Sequence, residues 1–321
     1  MSNSILVIGN GFDLDLGLKT KYSDFAKSNY WPHVEFNKLP ISKNGILDLG
    51  GEPHNICMKD YIETIRTMVL EENTWFDLEK ELLNFAANIA VNNTFSTAKE
   101  DEIYFNNLQS GLQKFIEEAQ KNSINTIKNE CCAASILRAN CFDMVYSFNY
   151  TDINYFSKLI GQYQEMHCQH LHGELSNSSI ILGVDETPLP TGYEWLHKTS
   201  NRHYPHHDIN NSLENANDII FFGLSFGSID FIYFERYLKE LSTGRAIEET
   251  SKQNITIVTK DNQSQLAIKQ RIREMDVELR RLFEQSHLNF IITDDKNDFA
   301  KLNEILFTLT NRMMMKKMGI K

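Results

Sequence analysis

Short runs of consecutive apolar residues alternate along this chain with longer stretches in which apolar residues recur every three or four positions. The first run, residues 5–8, meets the turn sequence Gly9-Asn10-Gly11 and then continues with leucines. This order predicts a strand, a tight turn and a helix that runs from about residue 14 to residue 25. The glycine-rich residues 32–58 are interpreted as a loop or insertion.

Helical spacing dominates residues 59–138. Ile62, Ile65 and Val69, for example, share one face of a helix in this stretch. We expect the stretch to form a mainly helical insertion within a single domain that spans residues 1–321.

Strand-like runs then resume and alternate with helical stretches. They fall at residues 142–146, 166–171, 179–182, 218–222, 255–258 and 288–292. Helices are predicted between and after the later runs, at residues 230–241, 263–283 and 298–318. Strands that are buried on both faces and separated by helices are typical of a parallel sheet, so the sequence predicts a doubly wound α/β fold.

Composition excludes several classes of protein. Of the 321 residues 41% are hydrophobic, which is enough for a sizeable core. The formal net charge of −11, with no lysine- or arginine-rich run, argues against binding to nucleic acid or to an anionic membrane. No apolar run approaches the roughly 18 residues of a membrane span, and no charged leader precedes the first strand, so a cytoplasmic location is expected.

The sequence predicts no metal site. Its five cysteines are scattered and include no Cys-x-x-Cys pair, which argues against a zinc ribbon and a disulfide framework. His203, His206 and His207 could bind a metal, but a solvated polar loop is the simpler interpretation of that segment.

Small or polar residues follow most of the predicted strands. Ligands of open α/β sheets bind outside the carboxyl ends of the strands, so these residues are the candidates for chemistry. They are Gly9, Asn10, Gly11 and Asp13 after the first run, Asn149 after the second, His172 after the third, Asp185 after the fourth, and Gly223, Ser225 and Asp230 after the fifth.

The glycine turn predicts a nucleotide phosphate site. Such a turn leaves N–H groups unpaired at a helix N-terminus, and a missing Cβ lets a phosphate approach the main chain. The dinucleotide fingerprint of dehydrogenases is excluded because Leu14 stands where its third glycine would be, and no Gly-Lys-Ser/Thr ending supports a P-loop. A tight turn without a ligand remains the alternative.

The polar residues at the other tips have both a structural and a chemical interpretation. Asn149, Ser228 or Asp230 could cap the helix that follows. His172, which precedes a glycine at a strand end, is harder to explain by packing and is a natural general base.

Together these motifs resemble two related groups of proteins. In their order, Gly9-x-Gly11-x5-Gly17-Leu18, Asn149, His172-Gly173 and Gly223-x-Ser225 are similar to the strand-tip series of Sir2-type NAD-binding proteins. A narrower set resembles the bacteriophage abortive infection AbiH family over roughly residues 3–240: Gly9–Asp13 with Gly17–Phe25, Trp75-x-Asp77-Leu78-Glu79, Ser147–Thr151, His170–Gly173, and Phe222–Ser225 followed by Asp230.

The resemblance implies a Rossmann-like (Sir2-like) domain that binds NAD, with Asn149 beside the nicotinamide ribose and His172 as the base. Two departures argue against protein deacylation. The four-cysteine zinc module of Sir2 deacylases is missing, and Lys19 stands where those enzymes have a proline. Both departures are compatible with the branch of NAD-hydrolysing defence proteins.

The function implied is antiphage defence through hydrolysis of NAD+ to nicotinamide and ADP-ribose. Asn149, His172 and Asp13 are the expected catalytic residues, while Glu79 is a weaker candidate because a glutamate on an amphipathic helix is usually solvated. Nucleotide binding is assigned to Gly9, Asn10, Gly11, Phe12, Gly223, Ser225 and Asp230.

Two alternatives stay open. The chain could be a nucleotide-sensing protein without turnover that signals through a partner or through self-association, or it could transfer ADP-ribose to a macromolecule. A small-molecule nucleotide is the expected ligand, and a second copy of the chain and a phage-derived trigger are further candidate partners.

Overall fold

The computed structural model describes residues 3–33, 57–72, 76–92, 98–175, 180–185, 187–204, 209–244 and 252–319. The chain forms two compact units. The sheet unit comprises Met1–Leu18, Gln120–Leu171 and Pro205–Lys321, and the helical unit comprises Lys19–Ala119 and His172–Tyr204.

All six described strands of the sheet unit are parallel and form one sheet. They are β1 (Ser4–Ile8), β2 (Met144–Ser147), β3 (Cys168–His170), β4 (Asp218–Phe222), β5 (Gln253–Thr259) and β6 (Ser286–Ile292). Their spatial order is β3-β2-β1-β4-β5-β6, so the direction of winding reverses between β1 and β4. This is the order of Rossmann-like sheets, whose ligands bind where the winding reverses.

Helices cover both faces of the sheet because the strands are apolar on both sides. Ile5 and Val7 of β1 belong to one core, and Leu6 and Ile8 belong to the other. The first core is closed by α8 (Ile209–Glu214), α9 (Phe231–Thr243), α10 (Asn262–Glu274) and α11 (Leu279–Gln285). The second core is closed by α1 (Asn10–Asp15), α6 (Cys132–Ala139), α7 (Ile153–Leu159) and α12 (Lys296–Lys317). The predicted doubly wound α/β class is confirmed.

The helical unit contains α2 (Tyr22–Lys27), α3 (Met58–Glu72), α4 (Leu78–Asn92) and most of α5 (Ala98–Asn122). A buried carboxylate on α5 connects its parts. Asp101 accepts a hydrogen bond from the Met58 N–H at 2.6 Å and another from the Tyr193 hydroxyl at 2.7 Å. Since Asp101 is fully buried, these two donors offset the cost of removing its charge from water. Within the described residues, no helix combines the length and the apolar character that crossing a bilayer requires.

The sequence predicts a strand at each of the six apolar runs that follow the helical stretch. Five of these runs are strands of the sheet, but the run at 179–182 is not a strand. Residues 180–182 are buried and extend no sheet, while residue 179 lies outside the described residues. The Ile181 N–H donates to the His172 carbonyl at 2.8 Å. A short apolar run signals burial, and burial alone does not decide between a strand and a packed loop.

Two predicted helices are also interrupted. The single helix predicted from residue 14 to residue 25 is in fact two helices, α1 and α2, and α1 begins before residue 14. Gly17 lies between them with φ of +93°. The helix predicted over residues 263–283 is divided into α10 and α11 at Asp276, where φ is +56°. A left-handed residue ends a helix, and a hydrophobic pattern that continues past it conceals the break.

The loops after β1 and β4 touch main chain to main chain. The Gly9 N–H donates to the Phe222 carbonyl at 2.9 Å, and the Gly11 N–H donates to the Gly223 carbonyl at 3.0 Å. A Cβ on Gly11 would lie 2.5 Å from the Gly223 Cα, and Gly223 itself has φ of +67°. Glycine is therefore required on both sides of this contact.

We expect Gly11→Ala to lower the free energy of unfolding by about 3 kcal/mol, the upper part of the range for overpacking against atoms that cannot move aside. Gly227→Ala is the matched control, since its Cβ would meet only the Ser225 Oγ at 3.4 Å and its φ of −65° suits any residue. Its unfolding free energy should change by less than about 1 kcal/mol. Urea denaturation measures both, and equal midpoints for Gly11→Ala and the parent would contradict the contact.

Candidate functional site

Three polar side chains meet beyond the carboxyl ends of β1 and β2. Ile8 and Ser147 are paired in register, so the two strands end at the same level. Asp13 lies one turn into α1, and Asn149 and Thr151 follow β2. The Asn149 side-chain nitrogen lies 2.8 Å from Asp13 Oδ1, and the Thr151 hydroxyl donates to Asp13 Oδ2 at 2.8 Å. Asp13, Asn149 and Thr151 are called the aspartate cluster below.

The amide of Asn149 has a defined orientation. Its nitrogen donates to the Gly9 carbonyl at 3.0 Å as well as to Asp13, and both partners are acceptors, so only the NH2 group fits there. The main-chain carbonyl of Asn149 accepts from the Ser147 hydroxyl at 3.1 Å and from the His170 ring Nδ1 at 2.9 Å. The Asn149 Oδ1 is the remaining acceptor of this side chain, and the two hydrogen bonds of the nitrogen fix its orientation.

Burial dominates the electrostatics of Asp13. It is 2% exposed, and this loss of solvent raises its pKa to about 7, although the hydrogen bonds from Thr151 and Asn149 oppose the rise. The carboxyl therefore exchanges its proton near neutral pH, which is the range that general acids and bases use.

The turn after β1 differs from its expected form. The N–H groups of Gly9 and Gly11 are taken by carbonyls of Phe222 and Gly223, and the Phe12 N–H donates to the Gly9 carbonyl at 2.9 Å. The expectation that the turn leaves its N–H groups unpaired is thus wrong for these three. The Phe12 ring is fully buried and packs edge-on against Phe222, with ring centroids 5.1 Å apart. The absent Cβ atoms admit the neighbouring main chain, and this is the physical reason for the glycines.

The helix-capping alternatives are decided by the geometry. Asp152, not Asn149, caps α7 and accepts the Asn154 N–H at 2.8 Å. Asp230 precedes α9, but its side chain makes no capping hydrogen bond. Asn10 is exposed at the start of α1.

The loop after β4 is partly accessible and locally strained. Ser225 is exposed, and its hydroxyl accepts the Gly227 N–H at 3.2 Å. Phe226 adopts a left-handed backbone conformation with φ of +50°. Its side chain is fully buried and packs against Phe221, with ring centroids 5.4 Å apart. A left-handed aromatic residue is held only by its surroundings, and such residues concentrate at functional sites.

A second polar cluster lies within the helical unit. His172 Nδ1 is 3.3 Å from Glu79 Oε1, and the Lys198 ammonium is 2.7 Å from Glu79 Oε2 and 3.4 Å from Asp185 Oδ2. Lys198 is fully buried, and His172 and Glu79 are each 5% exposed. His172, Glu79, Lys198 and Asp185 are called the lysine cluster below.

Local structure fixes the members of the lysine cluster. Asp77 accepts the Glu79 N–H at 3.0 Å and the Lys80 N–H at 3.4 Å, which places Glu79 in the first turn of α4. The Lys198 N–H donates to the Val184 carbonyl at 2.8 Å, and this main-chain contact brings Lys198 beside Asp185.

The electrostatics of this cluster favour a neutral histidine. Burial lowers the pKa of His172 well below its usual range, the Lys198 ammonium lowers it further, and the Asp185 carboxylate opposes both. Burial also raises the pKa of Asp77 to about 6, with the Glu79 charge adding to the rise.

The structure thus separates the predicted catalytic residues into two groups. Asp13 and Asn149 meet in the sheet unit, whereas His172 belongs to the lysine cluster of the helical unit. Sequence analysis missed Thr151 and Lys198. Thr151 ends a motif that was noted, but Lys198 lies in a polar stretch with no distinguishing pattern.

Other expected features lie partly outside the described residues. Trp75, His206 and His207 are among these, and His203 is exposed. In the part of the chain that the structure describes, no group of three or more histidine, cysteine, aspartate or glutamate residues is arranged to hold a metal ion.

The raised pKa of Asp13 predicts a pH dependence of stability. Between the pKa near 3.9 of an unfolded aspartate and about 7, the folded state retains a proton that the unfolded state has lost. The free energy of unfolding should therefore fall with rising pH across this range, by on the order of 3–4 kcal/mol relative to Asp13→Asn. Urea denaturation at several pH values from 4 to 8 measures the difference.

Thr151→Val sharpens this test. It removes the hydroxyl that donates to Asp13, so the pKa of Asp13 should rise further and the loss of stability should extend to higher pH. Parallel pH profiles for the parent and Asp13→Asn would show that Asp13 is not protonated in the folded state.

Comparison with curated proteins gives no match. The sequence model of one family, bacteriophage abortive infection AbiH, matches residues 5–249, which include every member of both clusters. Because this match covers most of the 321 residues, the chain belongs to the bacteriophage abortive infection AbiH family.

Proposed function

We propose that this chain acts in antiphage defence by hydrolysing NAD+ to nicotinamide and ADP-ribose. Membership of the AbiH family supports the role in abortive infection. The strand order of a Rossmann-like sheet supports a nucleotide ligand, since such sheets bind dinucleotides at the carboxyl ends of their strands.

The aspartate cluster is the observation that carries the proposal. An asparagine whose amide nitrogen is fixed by two acceptors holds its side-chain oxygen in one orientation. Preorganised groups of this kind position a reactant without reorganising during the reaction, which lowers the barrier. In this role Asn149 contacts the substrate and Thr151 is a positioning residue, while Asp13 both orients Asn149 and acts on the reacting sugar.

The chemistry requires little more than positioning and a proton acceptor. Water forms a bond to C1′ of the nicotinamide ribose as the C1′–N1 bond breaks, and the bonding electron pair leaves with nicotinamide, which departs neutral. The sugar passes through an oxocarbenium-like transition state, as in glycoside hydrolysis. Asn149 Oδ1 accepts a hydrogen bond from a ribose hydroxyl or from the attacking water.

Two ionisable residues complete the proposed mechanism. Asp13, with a pKa of about 7, supplies negative charge near the developing cation when it is ionised. His172 accepts the proton of the attacking water and later releases it to solvent, so NAD+ and water give ADP-ribose, nicotinamide and one proton. The support for His172 is its neutral state in the lysine cluster together with the resemblance to Sir2-type proteins.

The binding of the nucleotide phosphates is reassigned within this proposal. Because the N–H groups of Gly9, Gly11 and Phe12 are engaged inside the protein, they are not the pyrophosphate ligands. The exposed hydroxyl of Ser225, in the loop after β4, is the candidate in their place, since β4 lies where the winding of the sheet reverses.

A nucleotide sensor without turnover is the second candidate. The observation in its favour is that both carboxylate oxygens of Asp13 already accept hydrogen bonds inside the protein, as in a static binding site. Chromatography of purified protein incubated with NAD+, with and without phage lysate, separates the two. Release of nicotinamide and free ADP-ribose supports hydrolysis, whereas binding without release supports the sensor and labelled protein supports ADP-ribosyl transfer.

We expect Asn149→Ala to lower the rate of nicotinamide release at least roughly 10²-fold, because the positioned oxygen is lost. It also leaves the Gly9 carbonyl and Asp13 without a donor, which should lower the free energy of unfolding by about 1–3 kcal/mol. Asn215→Ala, at an exposed position, is the matched control and should change neither quantity. Normal turnover by folded Asn149→Ala protein would exclude the catalytic assignment.

His172→Gln should lower nicotinamide release by about 10²–10⁴-fold, the usual contribution of a general base. His203→Gln is the control, because His203 is exposed in the same unit. If nicotinamide release were lost in His203→Gln but retained in His172→Gln, His172 would not be the general base.

A further inference from the structure

The lysine cluster holds an unusual set of buried groups for a helical unit. Lys198 is fully buried, and a lysine is almost never buried without a partner. Its ammonium lies 2.7 Å from one oxygen of Glu79, while the other oxygen of Glu79 faces His172 at 3.3 Å. One carboxylate thus connects an ammonium group with an imidazole.

The chemistry of the three groups fixes where each proton lies. An ammonium only donates, so Glu79 Oε2 is an acceptor towards Lys198. An ionised carboxylate has no proton of its own, so Glu79 Oε1 is an acceptor as well. His172 Nδ1 can make a hydrogen bond to Glu79 only if it carries the proton.

We propose that Glu79 is a positioning residue that holds His172 as its Nδ1–H tautomer, so that the basic lone pair lies on Nε2, and that the ion pair with Lys198 orients the Glu79 carboxylate for this purpose. The arrangement parallels the carboxylate that orients the histidine of serine proteases, where the wrong tautomer reduces turnover severely. Its catalytic meaning rests on the proposed NAD+ hydrolysis, whereas the tautomer itself can be measured without any turnover.

The charges around His172 are consistent with this role. Burial lowers the pKa of His172 most, the Lys198 ammonium lowers it further, and the Asp185 carboxylate raises it, while Glu79 faces the ring at 3.3 Å. The ring is therefore neutral at pH 7, and its two tautomers are the states between which Glu79 selects.

Glu79→Gln gives a sharp test because the substitution preserves shape. The glutamine side chain has an oxygen that accepts hydrogen bonds and an NH2 group that donates them. The Lys198 ammonium only donates, so the oxygen must face Lys198. The NH2 group must then face His172 and donate to Nδ1, which moves the ring proton to Nε2. The variant should convert one neutral tautomer into the other.

Glu81→Gln is the matched control. Glu81 lies two residues further along α4, and it accepts from the Tyr61 hydroxyl at 3.0 Å and the Asn84 side chain at 3.2 Å. The Glu81→Gln variant loses one carboxylate on the same helix, two residues from Glu79. A general electrostatic effect of removing a carboxylate would therefore appear in both variants.

The experiment is ¹⁵N NMR of the full chain with ring-labelled histidine at pH 7, with His172→Gln used to identify the His172 signals. The expected spectrum shows Nδ1 protonated and Nε2 unprotonated in the parent and in Glu81→Gln, and the reverse in Glu79→Gln. A parent protein with the proton on Nε2, or with both nitrogens protonated, would overturn the proposal. So would a Glu79→Gln spectrum identical to that of the parent.

Nicotinamide release is the second readout. Glu79→Gln should lower kcat by about 10²–10⁴-fold with little change in KM, and Glu81→Gln should stay within about threefold of the parent. If the parent releases no nicotinamide under any condition, the proposed hydrolysis fails while the NMR result still decides the role of Glu79. If the tautomer is as expected but Glu79→Gln keeps full turnover, the positioning role is refuted and hydrolysis stands.

Discussion

The contact between Gly11 and Gly223 constrains everything around the centre of the sheet. At this point α1 leaves β1 towards one face, whereas α9 follows β4 on the other face. Before they diverge, the main chains of the two loops pass each other closely, and the Gly11 N–H donates to the Gly223 carbonyl at 3.0 Å. The contact sets where α1 begins, the start of α1 sets Asp13, and Asp13 together with the Gly9 carbonyl sets the amide of Asn149.

Buried carboxylates are stabilised in two different ways in the two units. Asp13 has only neutral donors, Asn149 and Thr151, so burial prevails and its pKa rises to about 7. Glu79 instead forms an ion pair with the ammonium of Lys198 at 2.7 Å. The first arrangement gives a group that titrates near neutral pH, and the second gives a carboxylate whose position is fixed and which can orient a neighbour. Proton exchange and positioning are the two tasks that the proposed reaction requires.

The glycine turn shows how one sequence signal can arise from two physical causes. A Gly-x-Gly turn after a strand is suited to a phosphate because main-chain N–H groups become accessible and no Cβ is in the way. The same absence of a Cβ allows a neighbouring main chain to approach, and here the Gly9 and Gly11 N–H groups are used for that purpose. The ligand that the motif indicated is therefore sought at the loop after β4 and at Asn149, next to the turn rather than on it.

The sequence by itself determined the fold class, most strands and the candidates at their ends. Strands apolar on both faces, separated by amphipathic stretches, have few solutions other than a parallel sheet covered by helices. Sequence alone did not place the breaks at Gly17 and Asp276, because hydrophobic spacing continues across both.

Only the tertiary structure decided which polar residues share a cluster. Thr151 and Lys198 acquire their roles from partners far away in sequence, Asp13 in one case and Glu79 in the other. Glu79 looks like a solvated helix residue until folding places the Lys198 ammonium 2.7 Å from its carboxylate. The physical reason is that local patterns report which side of an element is buried, whereas the protonation and orientation of a buried polar group depend on the neighbours that folding supplies.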